Sequence, residues 1–111
     1  EAVVAHAQAE ATQAQAQLTL ERDRTQSLWH IAQAKVNAAQ AQLNAAERRA
    51  KLALESRTFF EKSFQLGESD LPTRLRIEVE AVEAQRQAAL SRIEFFASIS
   101  ALRQAAGLLP Q

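Results

Sequence analysis

The chain has 111 residues, of which 47% are hydrophobic and only 5% aromatic, and its thirteen basic side chains balance thirteen acidic ones. Much of the apolar content is alanine, which buries little area, so the composition predicts close helix contact within one domain rather than a thick core. The even charge balance argues against a nucleic-acid partner, because proteins of that class usually carry a basic stripe.

The first predicted element is one long helix over about residues 1–66, because no glycine or proline occurs before Gly67 and both residue types interrupt helices. Its apolar residues recur at alternating steps of three and four residues. This heptad spacing is typical of a coiled coil. The main seam consists of Trp29, Ala32, Val36, Ala39, Leu43, Ala46, Ala50, Ala53, Phe60 and Phe64, with Arg57 as its one charged interruption. An upstream seam of different phase consists of Val4, Ala7, Ala11, Ala14 and Leu18.

A tight turn is predicted at residues 67–70. Gly67 suits the left-handed backbone position that follows a helix C-terminus. Either Ser69 or Asp70 can cap the next helix by accepting a hydrogen bond from a first-turn N–H. Pro72 then falls in that first turn, where its missing N–H costs nothing.

The second predicted helix covers about residues 71–106 and carries two apolar stripes. The first stripe consists of Leu75, Val79, Val82, Ala89, Ile93 and Phe96, and the second of Ala84, Ala88, Phe95, Ile99, Leu102, Ala106 and Leu109. Two stripes imply neighbours on two sides, whereas a lone hairpin offers a partner on only one. The fold class predicted is therefore all-α, a long antiparallel helical hairpin resembling a coiled coil, with further helices packed against it.

The two predicted helices differ in length. Pairing them outward from the turn, at about 1.5 Å per residue, sets Ala106 opposite Ile31 and leaves residues 1–30 without a partner in the chain. We therefore expect the isolated chain to self-associate. Because no run of about 18 apolar residues occurs, we do not expect this segment to insert directly into a membrane.

The region around the turn resembles the C-terminal helical hairpin of TolC-like outer-membrane efflux channels. The resemblance rests on the run from Phe60 to Leu75, with Gly67, Ser69 and Leu71 at the bend, and on the ending Leu102 to Pro110, which contains a Leu-x-x-x-x-Gly motif. The Gly-Glu-Ser-Asp-Leu-Pro bend and the Gly-Leu-Leu-Pro tail are most similar to the heavy-metal-efflux, or CzcC-like, branch of that family.

Membership in that family would imply a structural role in a Gram-negative bacterium. These channels are trimers whose hairpins form a periplasmic α-barrel below an outer-membrane β-barrel, and the hairpin bends dock a membrane-fusion adaptor that connects to an inner-membrane pump. The resemblance implies that the adaptor-docking tip consists of Leu66, Gly67, Glu68, Ser69, Asp70 and Leu71. The chain has no counterpart of the family's β-strands, of its first hairpin or of the cysteine that carries a lipid anchor.

The sequence is compatible with more than one parent protein. Residues 1–111 are interpreted as a single hairpin excised from the α-barrel of a larger channel, although a processing site would also give a start at Glu1. One alternative is the coiled-coil hairpin of the periplasmic adaptor itself. Another alternative is a free-standing coiled-coil oligomerisation module.

The sequence shows no constellation that indicates catalysis or metal binding. Cysteine is absent, and no phosphate-cradling glycine loop or serine-histidine-acid grouping is present. His6 and His30 lie far apart, and neither has the Glu-x-x-His partner of di-iron helical bundles. We therefore expect neither enzyme activity, nor a metal site, nor a cofactor.

Overall fold

The structure is a computed structural model that describes residues 1–108, and it consists of two α-helices. Helix α1 spans Ala2–Gln65 and helix α2 spans Leu71–Gly107. These bounds agree with the predicted helices to within one residue, and they confirm the all-α hairpin. Leu109 of the second stripe and Pro110 of the tail motif lie outside the described residues.

The molecule is a thin rod measuring 98 × 22 × 13 Å. Its length is that of α1 alone, because 64 helical residues at about 1.5 Å each span roughly 96 Å. Helix α2 has 37 residues and folds back along the half of α1 nearest the turn. At the open end of the hairpin, Leu28 and Ile31 of α1 share a groove with Ala105 and Leu108 of α2. The predicted pairing is therefore confirmed to within about one helical turn.

The main seam predicted for α1 is the surface that α2 covers. All ten of its apolar residues are buried or half-buried, and Arg57 is half-buried among them. The most enclosed position is Ala46, with 1% of its surface exposed. It packs with Ala50 and Ala88 in a cluster made entirely of alanine. Small side chains let the two backbones approach closely, so packing here depends on shape more than on buried area.

Helix α2 uses only one of its two predicted stripes to contact α1. Five members of the second stripe are buried or half-buried: Ala84, Ala88, Phe95, Ile99 and Leu102. Ala106 is exposed, so its assignment was wrong, and Ala105 takes its place in the contact. The same face extends towards the turn through Ile77 and Ala81, which are 7% and 0% exposed and which the sequence reasoning missed.

Two ion pairs link the helices outside this alanine-rich contact. The Arg92 guanidinium lies 3.3 Å from the Glu47 carboxylate, and the Arg74 guanidinium lies 3.8 Å from that of Glu61. All four side chains are substantially exposed, so each pair contributes about 1 kcal/mol at most. Packing in the seam, rather than charge, holds the hairpin closed.

Substituting leucine for Ala81 should open the seam. Because Ala81 has no exposed surface, a larger side chain forces the helices apart, and overpacking of this kind costs about 1–3 kcal/mol. Urea unfolding followed by circular dichroism measures the change. Ala97→Leu, on an exposed position of the same helix, is the matched control and should leave stability nearly unchanged. Equal effects of the two variants would contradict the assignment of the seam.

Candidate partner-binding tip

The chain reverses at a Schellman motif that ends α1. Gly67 has φ of 77°, the only positive φ among the described residues. The Glu68 N–H donates to the Ser63 carbonyl at 2.8 Å, and the Gly67 N–H donates to the Phe64 carbonyl at 3.0 Å. This pair of bonds satisfies carbonyl groups that the helix end would otherwise leave without a partner. The left-handed position predicted for Gly67 is confirmed.

The start of α2 is capped by Asp70 rather than by Ser69. The Asp70 carboxylate accepts a hydrogen bond of 3.0 Å from the Thr73 N–H, in the extended backbone conformation of an N-cap residue. Pro72 lies within the first turn of α2, as predicted. Between the two caps only a few residues remain, so both ends of the turn are fixed by hydrogen bonds.

Hydrogen bonding also shifts the ionisation of Asp70. Bonds from the side chain and then the backbone N–H of Thr73 hold the pKa of Asp70 below its ordinary value of 3.8, because they stabilise the charged carboxylate. The Asp70 carboxylate is therefore charged at neutral pH. The same charge suits the positive end of the α2 dipole.

A small brace beneath the turn joins the two helices. The Arg74 guanidinium lies 4.9 Å from the centre of the Phe64 ring, a distance at which a cation is attracted to the ring face. The Ser69 hydroxyl is 3.5 Å from the Phe60 carbonyl, at the long end of hydrogen bonding. Sequence reasoning missed Arg74, although an arginine one turn into α2 beside an aromatic near the end of α1 is a readable signal.

The six residues predicted for the tip lie together at one end of the rod. All are exposed except Ser69, which is half-buried. Leu66 and Leu71 flank the turn with 73% and 50% of their surfaces exposed, and the carboxylates of Glu68 and Asp70 lie between them. The tip is thus an acidic turn that is held by hydrogen bonds at both ends and bordered by two exposed leucines.

The two histidines lie on α1, far from the tip. Within residues 1–108 no three histidine, aspartate or glutamate side chains come together in a way that would hold a metal ion. His6 lies 3.0 Å from Glu10 in an exposed pair on one helix face, and His30 contacts the neighbouring Trp29 ring edge to face. Neither described helix is long and apolar enough to cross a membrane.

Comparison with known proteins gives no relative for this chain. No protein-family model, no curated protein and no solved structure matches it. The resemblance to the TolC-like channels therefore stays a prediction.

Replacing Gly67 by alanine should destabilise the hairpin by about 1–2 kcal/mol, the cost of a side chain in left-handed backbone. No atom lies within 4 Å of the added Cβ, so the effect comes from the backbone and not from a clash. Gly107→Ala is the matched control: Gly107 is helical and equally uncrowded, and alanine there should be neutral or stabilising by up to about 1 kcal/mol. Thermal unfolding separates the two, and a neutral Gly67→Ala would refute the account of the turn.

The Asp70 cap should weaken in acid. A lowered pKa means that the cap contributes its full stability above the unfolded value near 3.8 and loses it as the pH falls through the folded value. Asp70→Asn keeps a capping side chain without titrating. The advantage of the wild type over this variant should therefore be constant from pH 7 to about 5 and shrink below about 4.

Comparing the wild type with Asp70→Asn cancels the contribution of every other acidic group to the pH dependence of stability. The pKa of Glu83 is lowered to about 2 by hydrogen bonds from Arg86 and then Gln87, but that residue is present in both proteins, so its titration cancels. Unfolding curves measured across the pH range test the prediction. A stability difference that does not change with pH would contradict it.

Proposed function

We propose that this chain is a hairpin of the periplasmic α-barrel of a TolC-like outer-membrane efflux channel in a Gram-negative bacterium. Its helices form part of the barrel wall, and its turn docks a periplasmic membrane-fusion adaptor in a tripartite pump, most similar to the heavy-metal-efflux branch. In the parent channel the chain is part of a trimer. The segment is not an enzyme and uses no cofactor; its role is mechanical.

The observation that carries this proposal is the form of the tip. Docking between helical tips needs a surface that is fixed in shape before the partner arrives, because ordering a loose loop on binding costs free energy. Here a cap on either side fixes the turn, through Gly67 and Asp70. The exposed Leu66 and Leu71 supply apolar contact, and Glu68 adds charge that favours a partner with a basic or hydrogen-bond-donating surface.

The outer faces of the hairpin support the wall role. The first stripe of α2 is almost fully turned outward, with Leu75, Val79, Val82, Ile93 and Phe96 each between 55% and 68% exposed. A second outward stripe at heptad spacing runs along α1 to its C-cap, and in it Leu52, Phe59 and Leu66 are 64%, 66% and 73% exposed. A hairpin in a wall needs an apolar face towards each neighbour, whereas a solitary hairpin rarely exposes so much apolar surface.

Site-specific crosslinking in the bacterium that naturally produces the chain tests the docking role. Because the chain has no cysteine, a single Glu68→Cys variant places one thiol at the tip. It should crosslink to the adaptor. Glu10→Cys is the matched control, since Glu10 is also an exposed glutamate but lies about 85 Å away along α1.

Export by the same cells provides a second measure. Leu66→Asp should reduce export strongly, because it places a charge in the apolar part of the contact while sparing the turn. Assembly of the variant channel is measured in parallel, so that loss of export with normal assembly points to docking. Absence of a Glu68 crosslink together with normal export by the Leu66 variant would refute the docking role.

A further inference from the structure

Beneath the tip, the contact between the helices changes from alanine to charged side chains. Arg57 lies one heptad beyond Ala50 on α1, and Arg74 lies one heptad before Ala81 on α2. Arginine therefore occupies seam positions that alanine holds further from the turn. Within the described chain, four charged residues are half-buried and all the others are exposed. These four, the quartet, are Arg57, Glu61, Arg74 and Glu78.

The quartet forms two levels across the hairpin. At the level nearer the turn, the Arg74 guanidinium lies 3.8 Å from the Glu61 carboxylate on the other helix. Arg57 is one helical turn further from the tip on α1, and Glu78 is one helical turn further from it on α2. Because the helices are antiparallel, Arg57 and Glu78 lie at the same level. In the structure the first level is at ion-pair distance and the second is not.

The same four charges can pair in two ways. On each helix the arginine of the quartet precedes the glutamate by one helical turn, a spacing that brings opposite charges together along one helix. Arg76 and Glu80 have the same order and spacing on α2, and they form an ion pair at 3.1 Å. Pairing across the hairpin joins the two helices, whereas pairing along each helix leaves them free to separate.

Exchange between the two patterns has little electrostatic cost. Each pattern leaves every charge of the quartet with an opposite partner, whereas an unpaired charge in a partly buried position is costly. The side chains of Arg74 and Glu61 are 35% and 44% exposed, so the pair they form is weak and easily broken. The alanine part of the seam has no second arrangement, because separating Ala46 from Ala88 only loses contact.

We propose that the quartet is a switch beneath the tip. In the closed state its charges pair across the hairpin. In the loosened state they pair along each helix, and the helices separate by a few ångströms between the alanine contact and the turn. The caps of the turn and the alanine contact stay intact in both states. The inference does not rest on the proposed function, because it concerns the purified hairpin and its test needs no adaptor.

Exchanging the two charges on one helix distinguishes the patterns. Arg57→Glu combined with Glu61→Arg keeps the pair along α1 but sets like charges against each other across the hairpin. Arg74→Glu combined with Glu78→Arg does the same from α2. Combining all four substitutions restores opposite charges across the hairpin. The two half swaps and the full swap have the composition and net charge of the wild type, so only the arrangement of charges differs.

Pulsed electron paramagnetic resonance between spin labels at Thr58 and Leu75 measures the separation of the helices beside the quartet, since both residues are exposed there. Each half swap should lengthen the mean distance by a few ångströms and broaden its distribution, and the full swap should restore the wild-type distance. The matched control combines Arg76→Glu with Glu80→Arg. This exposed pair lies along α2 alone, so exchanging its charges should leave the distance unchanged.

The far end of the hairpin provides the second readout. Labels at Lys35 and Gln104, which line the groove at the open end, should keep one distance in every variant. Circular dichroism should show equal helix content, because each helix keeps its own ion pair.

Four outcomes would overturn the proposal. They are a half swap that leaves the distance between Thr58 and Leu75 unchanged, a full swap that fails to restore it, an equal effect of the control exchange, and equal broadening at both label pairs. Loss of helix content in a half swap would overturn it as well, since the loosened state keeps both helices folded.

Discussion

One backbone constraint determines the shape of this protein. Among the described residues only Gly67 has a positive φ, and glycine is the residue that adopts this conformation without strain. The Schellman bonds on one side and the Asp70 cap on the other fix the reversal within a few residues. Every longer-range contact in the chain depends on this reversal, since it alone brings α2 back against α1.

The reversal divides two helices of unequal length, and this inequality creates the surfaces available to partners. A helix of 37 residues cannot cover one of 64, so residues 1–27 lie beyond the end of α2 and have no contact with it. The seam between the helices is built on alanine, which uses only a narrow face of each helix. The larger apolar side chains, such as Phe59 and Val82, are consequently left on the outside. The fold therefore has apolar side chains both between its helices and on its outer faces.

Much of this could be predicted from the sequence, because one break in an otherwise uninterrupted helical pattern has few interpretations. The α1 seam was predicted fully, since its heptad spacing is regular from Trp29 to Phe64. In α2 two overlapping stripes obscured the phase, so Ala81 was missed and Ala106 was assigned in place of Ala105. The choice between Ser69 and Asp70 as the cap required the geometry of the turn. Docking by the tip stays a prediction, because a partner surface depends on the partner.

Pulsed electron paramagnetic resonance between spin labels at Lys35 and Gln104 measures whether α2 folds back along α1. Both residues line the groove at the open end of the hairpin. If the chain reverses at Gly67 and the seam is closed, labels diluted among unlabelled chains should give one narrow, short distance, set by helix axes about 8–10 Å apart and the two label arms. A continuous helix would separate the same residues by about 100 Å. A long or broad distribution would contradict the account.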